Sequence, residues 1–313
     1  MSLSPVTPFE PVSTEMIPQG DNWIAQIKWD GVRLLTYCDG RQVKLYNRHQ
    51  NERTLHYPEL TAINAYCSAH SVILDGEVIA LEKGKPSFYQ VMKRDSLRHP
   101  ERIETVRQKI PIIYMIFDLL YLNGEWVIDR PLMEREQMLK EIITPQEHIQ
   151  LVSSVDDPHA LLDAVEQHQL EGIVIKDRTS RYSLGGKDRR WQKKKRYRDL
   201  YAVVGGVTFR QNRRNAFLLG LYDDEGQLWY VGHAGAGRLT QQDWMMLTEL
   251  VPTLKQKERP FVNRPERHQD AIWLQPTLVV KINFLEWTPS KTLRQPSIQS
   301  FVEGDASACT FNQ

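Results

Sequence analysis

The chain has 313 residues, of which 41% are hydrophobic and 25% charged, and its formal net charge is +1. This length favours two domains, and the composition is that of a globular protein and not of a disordered one. No apolar run reaches the length of a membrane span, and three scattered cysteines exclude a disulfide framework and a zinc ribbon.

The first predicted elements enclose a short segment that carries a nucleophile. Residues 1–20 contain four prolines and are expected to be extended. Residues 23–27 and 34–37 predict two strands, and Lys28–Arg33 between them supplies an amine, a carboxylate, a glycine for the turn and a guanidinium. A neutral lysine at a strand end can attack phosphorus or a carbonyl carbon. The alternative interpretation is a surface hairpin with charged flanks.

The next segments predict a hairpin and a helix. Asp39-Gly40 is a turn signal, after which residues 42–46 alternate as a strand and residues 47–49 form a polar loop. From Pro58 to about Ser68 the apolar residues are spaced for one face of a helix. We therefore expect this segment to be an amphipathic helix packed on the core.

Two carboxylates interrupt the β-branched run of residues 71–81. Asp75 and Glu77 are two positions apart, so that in a strand both project to the same face. Because desolvating a charge is costly, a strand interior seldom holds a carboxylate without a partner or a metal. The pair predicts a pocket lined by two acids, and the alternative is a strand end whose acids are solvated.

A buried strand and two helices are expected in the middle of the chain. Residues 112–122 are apolar on both faces, which predicts a central strand closed by an Asn123-Gly124 turn. One helix is expected from Asp129, its candidate N-cap, to about Ile143, and a second from Asp156 to His168.

A strongly basic segment follows the predicted strand of residues 171–176. From Lys176 to Arg198 there are eleven Lys or Arg residues and two Asp. An extended backbone would place Lys193 and Lys195 on one face, and residues of these types suit phosphate or nucleic-acid binding. The alternatives are a solvated face and a nuclear-localisation-like sequence.

From about residue 201 the pattern changes to short strands separated by glycine turns. One helix, from Thr240 to Leu254, interrupts them. A small barrel of the oligonucleotide-binding (OB) type has such a pattern. The expected strands are residues 202–204, 217–222, 228–231 and 277–282.

Taken in order, these segments resemble the motifs of the nucleotidyltransferase superfamily, specifically of ATP-dependent DNA ligases. The greatest likeness is to the ligase module of bacterial end-joining ligases, and it covers nearly the whole chain. At the C-terminus the family's Arg-x-Asp-Lys element is matched only at Arg294. The matching segments are Lys28–Arg33, Arg48, Asp75–Glu77, Phe117–Leu120, Glu171–Lys176 and Trp191–Lys195.

The resemblance implies an α+β fold in two domains. An adenylation (nucleotidyltransferase) domain of antiparallel sheets with flanking helices is expected at residues 1–199. An OB-fold β-barrel is expected at residues 200–313.

The resemblance also implies the roles of single residues. Lys28 is the expected catalytic lysine, which receives AMP from ATP. Magnesium, with manganese as an alternative, is expected at Glu171 and Asp75, since such hard cations prefer oxygen ligands. Arg294 is expected to contact pyrophosphate or DNA. The expected nucleotide-binding residues are Gln26, Ile27, Arg33, Arg48, Glu77, Phe117, Lys193 and Lys195.

The implied activity is the ATP-dependent sealing of 5′-phosphate/3′-hydroxyl nicks in DNA, in bacterial DNA repair or end joining. The implied partners are nicked or broken duplex DNA and, for end joining, the Ku protein. We expect a monomer in the bacterial cytoplasm, associated with the nucleoid and not with a membrane. Three alternatives stay open: an RNA ligase, a capping guanylyltransferase, and a nucleic-acid-binding module whose transferase pocket is weakened.

Overall fold

The computed structural model describes residues 3–210, 213–235 and 237–313. The chain forms two compact units, one up to Arg196 and one from Tyr197 to Gln313. We propose that these units are the predicted adenylation and OB-fold domains, divided at 196/197 and not at 199/200. No described helix is long and apolar enough to cross a membrane.

In the first unit, residues 3–196 form eleven strands and four α-helices. The strands are β1 (Glu10–Ser13), β2 (Trp23–Ile27), β3 (Val32–Cys38), β4 (Val43–Asn47), β5 (Val72–Glu82), β6 (Lys85–Pro86), β7 (Ile112–Leu122), β8 (Glu125–Trp126), β9 (Ile149–Leu151), β10 (Gly172–Asp177) and β11 (Lys187–Lys195). The helices are α1 (Phe88–Asp95), α2 (Pro100–Lys109), α3 (Leu132–Ile142) and α4 (Pro158–Gln167).

These strands form two sheets. The larger has the order β4-β3-β5-β7-β8, with β6 added beside β5 and β9 beside β7. The smaller has the order β1-β11-β10-β2. Neighbouring strands are antiparallel except in two pairs, β1 with β11 and β7 with β9. The sequence motifs are thus divided between two sheets, with Lys28 at the end of β2 and the two predicted acids on β5.

Apolar clusters fix how the sheets and helices pack. On the smaller sheet, Ile173 and Ile175 pack with Val165 of α4, which covers that outer face. A separate cluster joins the two sheets, because it contains Trp191 of the smaller sheet and Leu35 of the larger one. The face of the smaller sheet opposite α4 is therefore turned toward the larger sheet, and Gln26, Lys28, Lys193 and Lys195 alternate onto this inner face.

The second unit is a small barrel. Its elements are β12 (Arg198–Arg210), β13 (Arg213–Tyr222), β14 (Leu228–Ala234), α5 (Gln241–Leu254), β15 (Lys255–Gln256), β16 (Ile272–Leu274), β17 (Val279–Phe284) and β18 (Ser297–Val302). Antiparallel pairing runs in the order β14-β13-β12-β17-β18. A parallel bridge between Gly235 and Ser297 brings the ends of β14 and β18 together and closes this order. The predicted fold class, an adenylation domain followed by an OB-fold barrel, is confirmed.

The helix predicted from Pro58 to Ser68 is wrong. This part of the chain forms short 3₁₀ turns, among them Pro58–Leu60 and Ile63–Ala65. Side chains take the carbonyl groups that a helix would use, since the Tyr66 hydroxyl donates to Leu60 O at 2.8 Å. Leu60, Ile63 and Tyr66 are nevertheless buried. The apolar spacing therefore indicated which side chains enter the core, and not the backbone that carries them there.

Candidate active site

A single buried carboxylate, that of Glu171, joins Lys28 to the basic strand β11. Lys28 follows β2, and its backbone N–H donates to Gly172 O at 2.9 Å, which fixes it beside β10. Glu171 Oε2 lies 2.6 Å from Lys28 Nζ, and Glu171 Oε1 lies 3.0 Å from Lys195 Nζ. The Glu171 side chain is 6% exposed, whereas that of Lys28 is 21% exposed. The predicted nucleophile is thus held in place and still open to a substrate.

Gly31 is required by a close approach of two backbones. A Cβ atom at this position would overlap the carbonyl group of Val78 in β5. With no side chain there, the segment after Lys28 crosses from the smaller sheet to the larger one and enters β3 at Val32. The glycine thereby allows the amine of Lys28 and the guanidinium of Arg33 to lie on facing walls.

The inner face of the smaller sheet carries its polar side chains in cross-strand rows. Backbone pairing places Val174 opposite both Gln26 and Lys193. The neighbouring row on one side contains Lys28, Gly172 and Lys195, and that on the other side contains Ile24, Lys176 and Trp191. We call the end with Lys28 and Lys195 the cationic end of the face, and the end with the Trp191 ring the aromatic end.

Three amines converge at the cationic end. Burial lowers the pKa of Lys193, and the neighbouring ammonium groups of Lys195 and Lys28 lower it further. Glu171 pairs with Lys28 and Lys195, and Lys193 adds a third amine nearby. A group of three lysines suits the phosphates of a nucleotide. The sequence-based grouping of Lys28, Lys193 and Lys195 is thus brought together in the structure, although their roles remain predictions.

On the larger sheet, Asp75 is occupied by other side chains. It is fully buried, and both of its oxygens accept from Arg33 at 2.5 Å in a bidentate ion pair. The Tyr182 hydroxyl adds a third hydrogen bond at 2.6 Å. This geometry argues against the predicted role of Asp75 as a metal ligand, because three of its about four acceptor sites are taken and the side chain is fully buried. Asp75 instead holds the guanidinium of Arg33 in one orientation.

Glu77 lies on the same face as Asp75 but has a different environment. Burial raises its pKa to about 7, although Lys28 and Arg33 both favour the charged form. The charge of Lys28 lowers the pKa of Glu77, so the two groups are near each other. Because Glu77 belongs to β5, it lies on the wall formed by the larger sheet, across from the nucleophile. We call the region defined by Lys28, Glu77, Phe117, Glu171 and Lys195 the inter-sheet site.

Phe117 lies at the aromatic end of the inter-sheet site. The guanidinium carbon of Arg33 is 4.5 Å from its ring centroid. Its ring also meets Trp191 edge to face, with centroids 6.2 Å apart. These contacts fix the ring plane, as a stacking partner for a planar base requires.

Lys176 is a site residue that the sequence reasoning did not single out. It is 1% exposed, and its Nζ has no hydrogen-bond partner among the described residues. That nitrogen lies 4.0 Å from the Trp191 ring centroid and 4.6 Å from that of Phe117. Burial lowers the pKa of Lys176 to about 8. A lysine at the end of a β-branched run was the available signal, but its partners are distant in sequence.

Replacing Lys176 by methionine is expected to stabilise the fold near neutral pH. The buried ammonium is costly, and its pKa falls from 10.5 to about 8, so removing it should gain on the order of 1–3 kcal/mol. The unfolded chain binds more protons than the folded one between about pH 8 and pH 10.5, so wild-type stability should rise with pH in that window. Urea unfolding of both proteins should show that the variant's gain in the free energy of unfolding is smaller at pH 10 than at pH 7. An equal gain at both pH values would contradict this explanation.

A second unforeseen group lies behind Gln26. The Gln26 side chain is 2% exposed, and its Nε2 donates to Glu136 Oε1 at 2.9 Å and to Ser154 Oγ at 3.0 Å. Ser154 Oγ also donates to Glu136 Oε1 at 2.7 Å. Glu136 belongs to α3 and Ser154 to the loop before α4. Nothing in the spacing of these residues indicated that they would meet.

Two other predicted residues are not drawn into the inter-sheet site, and a third, Arg294, belongs to the second unit. The Ile27 side chain packs on the α4 face of its sheet. Arg48 is exposed after β4 and contacts His49, and no contact between described residues links it to Lys28. Arg294 belongs to the second unit, where it pairs with Glu286 at 2.8 Å. The role of the Ile27 side chain in nucleotide binding is therefore unsupported, whereas the roles of Arg48 and Arg294 stay predictions.

The donor set suits a metal that is shared with a substrate. Within residues 3–210, 213–235 and 237–313, no three His, Cys, Asp or Glu side chains gather as a metal site. Magnesium is usually held by one or two carboxylates together with substrate phosphates and water. Glu171 supplies one such carboxylate beside the lysines. The residues present therefore fit a phosphate-bound metal and not a cage made of protein ligands alone.

Comparison with known proteins identifies the family of both parts of the chain. Residues 6–195 match the family model of the ATP dependent DNA ligase domain, and residues 210–303 match that of the ATP dependent DNA ligase C terminal region. The multifunctional non-homologous end joining protein LigD of Mycobacterium bovis is 30% identical over 89% of this chain and 36% of its own length. A DNA ligase of Methanoculleus marisnigri is 31% identical over 91% of this chain and 53% of its own length.

A solved structure gives a matching result over the whole fold. The mycobacterial DNA ligase D complexed with ATP and MES aligns over 97% of this chain and 98% of that chain, with a TM-score of 0.54 and 26% identity. The chain spans about a third to a half of the two curated relatives named above. From the two family models and these relatives, the chain belongs to the ATP-dependent DNA ligase family.

Proposed function

We propose that the chain seals 5′-phosphate/3′-hydroxyl nicks in duplex DNA at the expense of ATP, through a covalent lysyl-AMP intermediate. The observation that carries this proposal is the contact of Lys28 with Glu171, which also holds Lys195, at the exposed edge of the inter-sheet site. A partly buried amine that stays accessible, beside further cations, is suited to attack a phosphoryl group and to bind the anion that leaves. Membership of the ligase family supports the choice of nucleotide and nucleic acid.

In the first step, neutral Lys28 Nζ attacks the α-phosphorus of ATP. A nitrogen–phosphorus bond forms, the amine gives up a proton to Glu171, which contacts it, or to water, the bond from the α-phosphorus to the bridging oxygen breaks, and pyrophosphate leaves. Lys193 and Lys195 offset the charge that gathers on the phosphate oxygens. Catalysis then consists mainly of positioning and charge stabilisation, as in other phosphoryl-type transfers.

The remaining walls would hold the nucleoside. Phe117 offers a ring that is fixed in plane by Arg33 and Trp191, on which the adenine can stack. Glu77 has a pKa of about 7, so near neutral pH it can accept a hydrogen bond from a ribose hydroxyl or donate one to it. Arg33 lies next to it with its fork fixed by Asp75.

Glu171 is the residue that would hold Mg²⁺ or Mn²⁺ together with the substrate phosphates. When bound, the metal would neutralise charge on the phosphate oxygens and orient the group that is transferred. Each oxygen of Glu171 contacts one lysine, Oε2 with Lys28 and Oε1 with Lys195, which leaves further lone pairs on the carboxylate. The chain's own contribution is therefore a carboxylate beside the nucleophile that can serve both the lysines and a cation.

Two further displacements complete the proposed reaction. A 5′-phosphate oxygen at the nick attacks the phosphorus of the lysyl-adenylate, and the nitrogen–phosphorus bond breaks. The 3′-hydroxyl then attacks the 5′-phosphate, loses its proton, and AMP departs as the new phosphodiester bond forms. Because the basic strand would contact phosphates and not base edges, we expect binding to be independent of DNA sequence.

A gel assay on a nicked DNA duplex tests this function. With ATP and Mg²⁺ the labelled strand should lengthen to the sealed product, and omission of ATP or addition of EDTA should prevent it. Sealing of nicked RNA alone would favour the RNA ligase, and covalent labelling by GTP in place of ATP would favour a capping enzyme. Salt-sensitive duplex binding without any covalent label would favour the weakened binding module.

The biological setting is proposed from the relatives. LigD of Mycobacterium bovis is named as a non-homologous end joining protein. We infer a role in bacterial DNA repair or end joining, as a monomer in the cytoplasm near the nucleoid, with Ku as a partner at broken ends. Stimulation of double-strand-end joining by purified Ku would support this setting, and equal joining without it would count against a Ku partnership.

A further inference from the structure

The side-chain amide of Gln26 is held in one orientation by two residues behind it. Its Nε2 atom has two acceptors, Glu136 Oε1 at 2.9 Å and Ser154 Oγ at 3.0 Å. A carboxylate has no proton to donate, so the opposite orientation would place the Gln26 amide oxygen against the oxygen of Glu136. The network therefore decides which end of the amide faces Glu136.

The other end of the amide is left as a hydrogen-bond acceptor. Gln26 Oε1 receives no hydrogen bond from the residues that the structure describes. Gln26 lies in the row of Val174, between the row with Lys28 and the row with Trp191. It is therefore placed between the end suited to phosphates and the end suited to a stacked base.

The electrostatic surroundings of Glu136 act in two directions. Burial raises the pKa of Glu136, whereas the Lys176 ammonium and the hydroxyl of Ser154 favour its charged form. Lys176 therefore helps to keep Glu136 an acceptor, although it makes no hydrogen bond itself. This gives the buried, unpartnered amine a connection to the same network.

We propose that Glu136 and Ser154 are positioning residues that make the site selective for adenine over guanine by fixing the orientation of the Gln26 amide. The exocyclic amine of adenine is a donor, whereas the corresponding oxygen of guanine is an acceptor. An amide oxygen held toward the base accepts from the first and repels the second. A freed amide can turn and donate to guanine. This inference rests on the proposed function, since it assumes a nucleotide in the inter-sheet site.

The test compares label transfer to the full-length protein from α-labelled ATP and GTP. In Glu136→Met the carboxylate is replaced by an apolar side chain of similar length, and the ATP/GTP rate ratio should fall roughly tenfold or more, about the effect of one unpaired buried polar group. Glu136→Gln can both accept and donate, so its ratio should lie between those of Glu136→Met and wild type. Ser154→Ala keeps the carboxylate and should lower the ratio by a smaller factor.

A matched control lies on the same helix. Glu141 of α3 is exposed and accepts a hydrogen bond from Gln137, so Glu141→Met should leave the ratio unchanged. A merely structural role of Glu136 would slow transfer from both nucleotides in parallel. An unchanged ratio in folded Glu136→Met and Ser154→Ala would overturn the proposal.

A second measurement does not depend on chemistry. The melting temperature of each variant is recorded with unlabelled ATP and with GTP, and ATP should stabilise wild type more than GTP does. This difference should narrow in Glu136→Met. If wild type shows the binding preference but no covalent label, the proposed function fails while the inference stands. If Glu136→Met keeps the preference, the inference fails whatever the labelling result.

Discussion

Replacing Lys28 by alanine is expected to abolish covalent labelling by α-labelled ATP and to lower nick sealing at least about a thousandfold, because Lys28 supplies the nitrogen of the proposed nitrogen–phosphorus bond. The readouts are label retained on denatured protein and sealed product on a gel. Lys28→Arg keeps a cation beside Glu171, but a guanidinium stays protonated. It should be equally inactive, which separates the loss of the nucleophile from the loss of the ion pair.

Lys194 provides the matched control for this experiment. Lys194 lies on β11 between Lys193 and Lys195 and is only partly buried. Its side chain donates to Glu15 O in another part of the first unit. Lys194→Ala should therefore keep covalent labelling within a few-fold of wild type. Retained labelling in Lys28→Ala would remove Lys28 from the role of nucleophile.

Replacing Arg135 by methionine is expected to cause the largest loss of stability, about 3–5 kcal/mol in the free energy of unfolding. Arg135 and Asp118 are both 0% exposed and form a bidentate ion pair at 2.7 and 2.9 Å. Arg135 also donates to Ser180 O at 3.0 Å. Without the guanidinium, a buried carboxylate would be left unpaired next to Phe117. Urea unfolding gives the free energy, and a loss below 1 kcal/mol would contradict this account.

Two further variants identify the cause of the loss. Arg130 pairs with Glu134 at 3.5 Å on the surface, so Arg130→Met should cost less than about 1 kcal/mol. Asp118→Leu combined with Arg135→Met removes both charges and should recover part of the stability. Failure of the double variant to recover any would indicate that the backbone contacts of Arg135 matter more than its charge.

The order of motifs along the chain was enough to predict the fold class, but it did not predict every element. The apolar strand of residues 112–122 was recognised because both of its faces are buried, and β7 has the same bounds. The helix expected at Pro58–Ser68 is absent because local side-chain hydrogen bonds compete with the backbone. Periodicity indicates burial more reliably than it indicates hydrogen-bonding pattern.

The contacts of the candidate site were also predicted only in part. Lys28 and Glu171 are far apart in sequence and were expected to meet only through the resemblance, and their side chains are in contact. The Asp75 carboxylate was correctly expected to need a partner, but sequence could not show that Arg33 and not a metal is that partner. Glu136 and Ser154 gave no signal, because their importance depends on a neighbour in three dimensions.

The segment that carries the nucleophile also ties together the two walls of the inter-sheet site. β2 ends at Ile27 in the smaller sheet, and β3 begins at Val32 in the larger. Even a fully extended chain spans at most about 17 Å over these five steps, and Gly31 is pressed against Val78. Beside Lys28, this short tether therefore sets how far apart the two walls can stand. Beyond Phe117, the contact of its ring with Trp191 does the same, so the width of the site is limited at both of its ends.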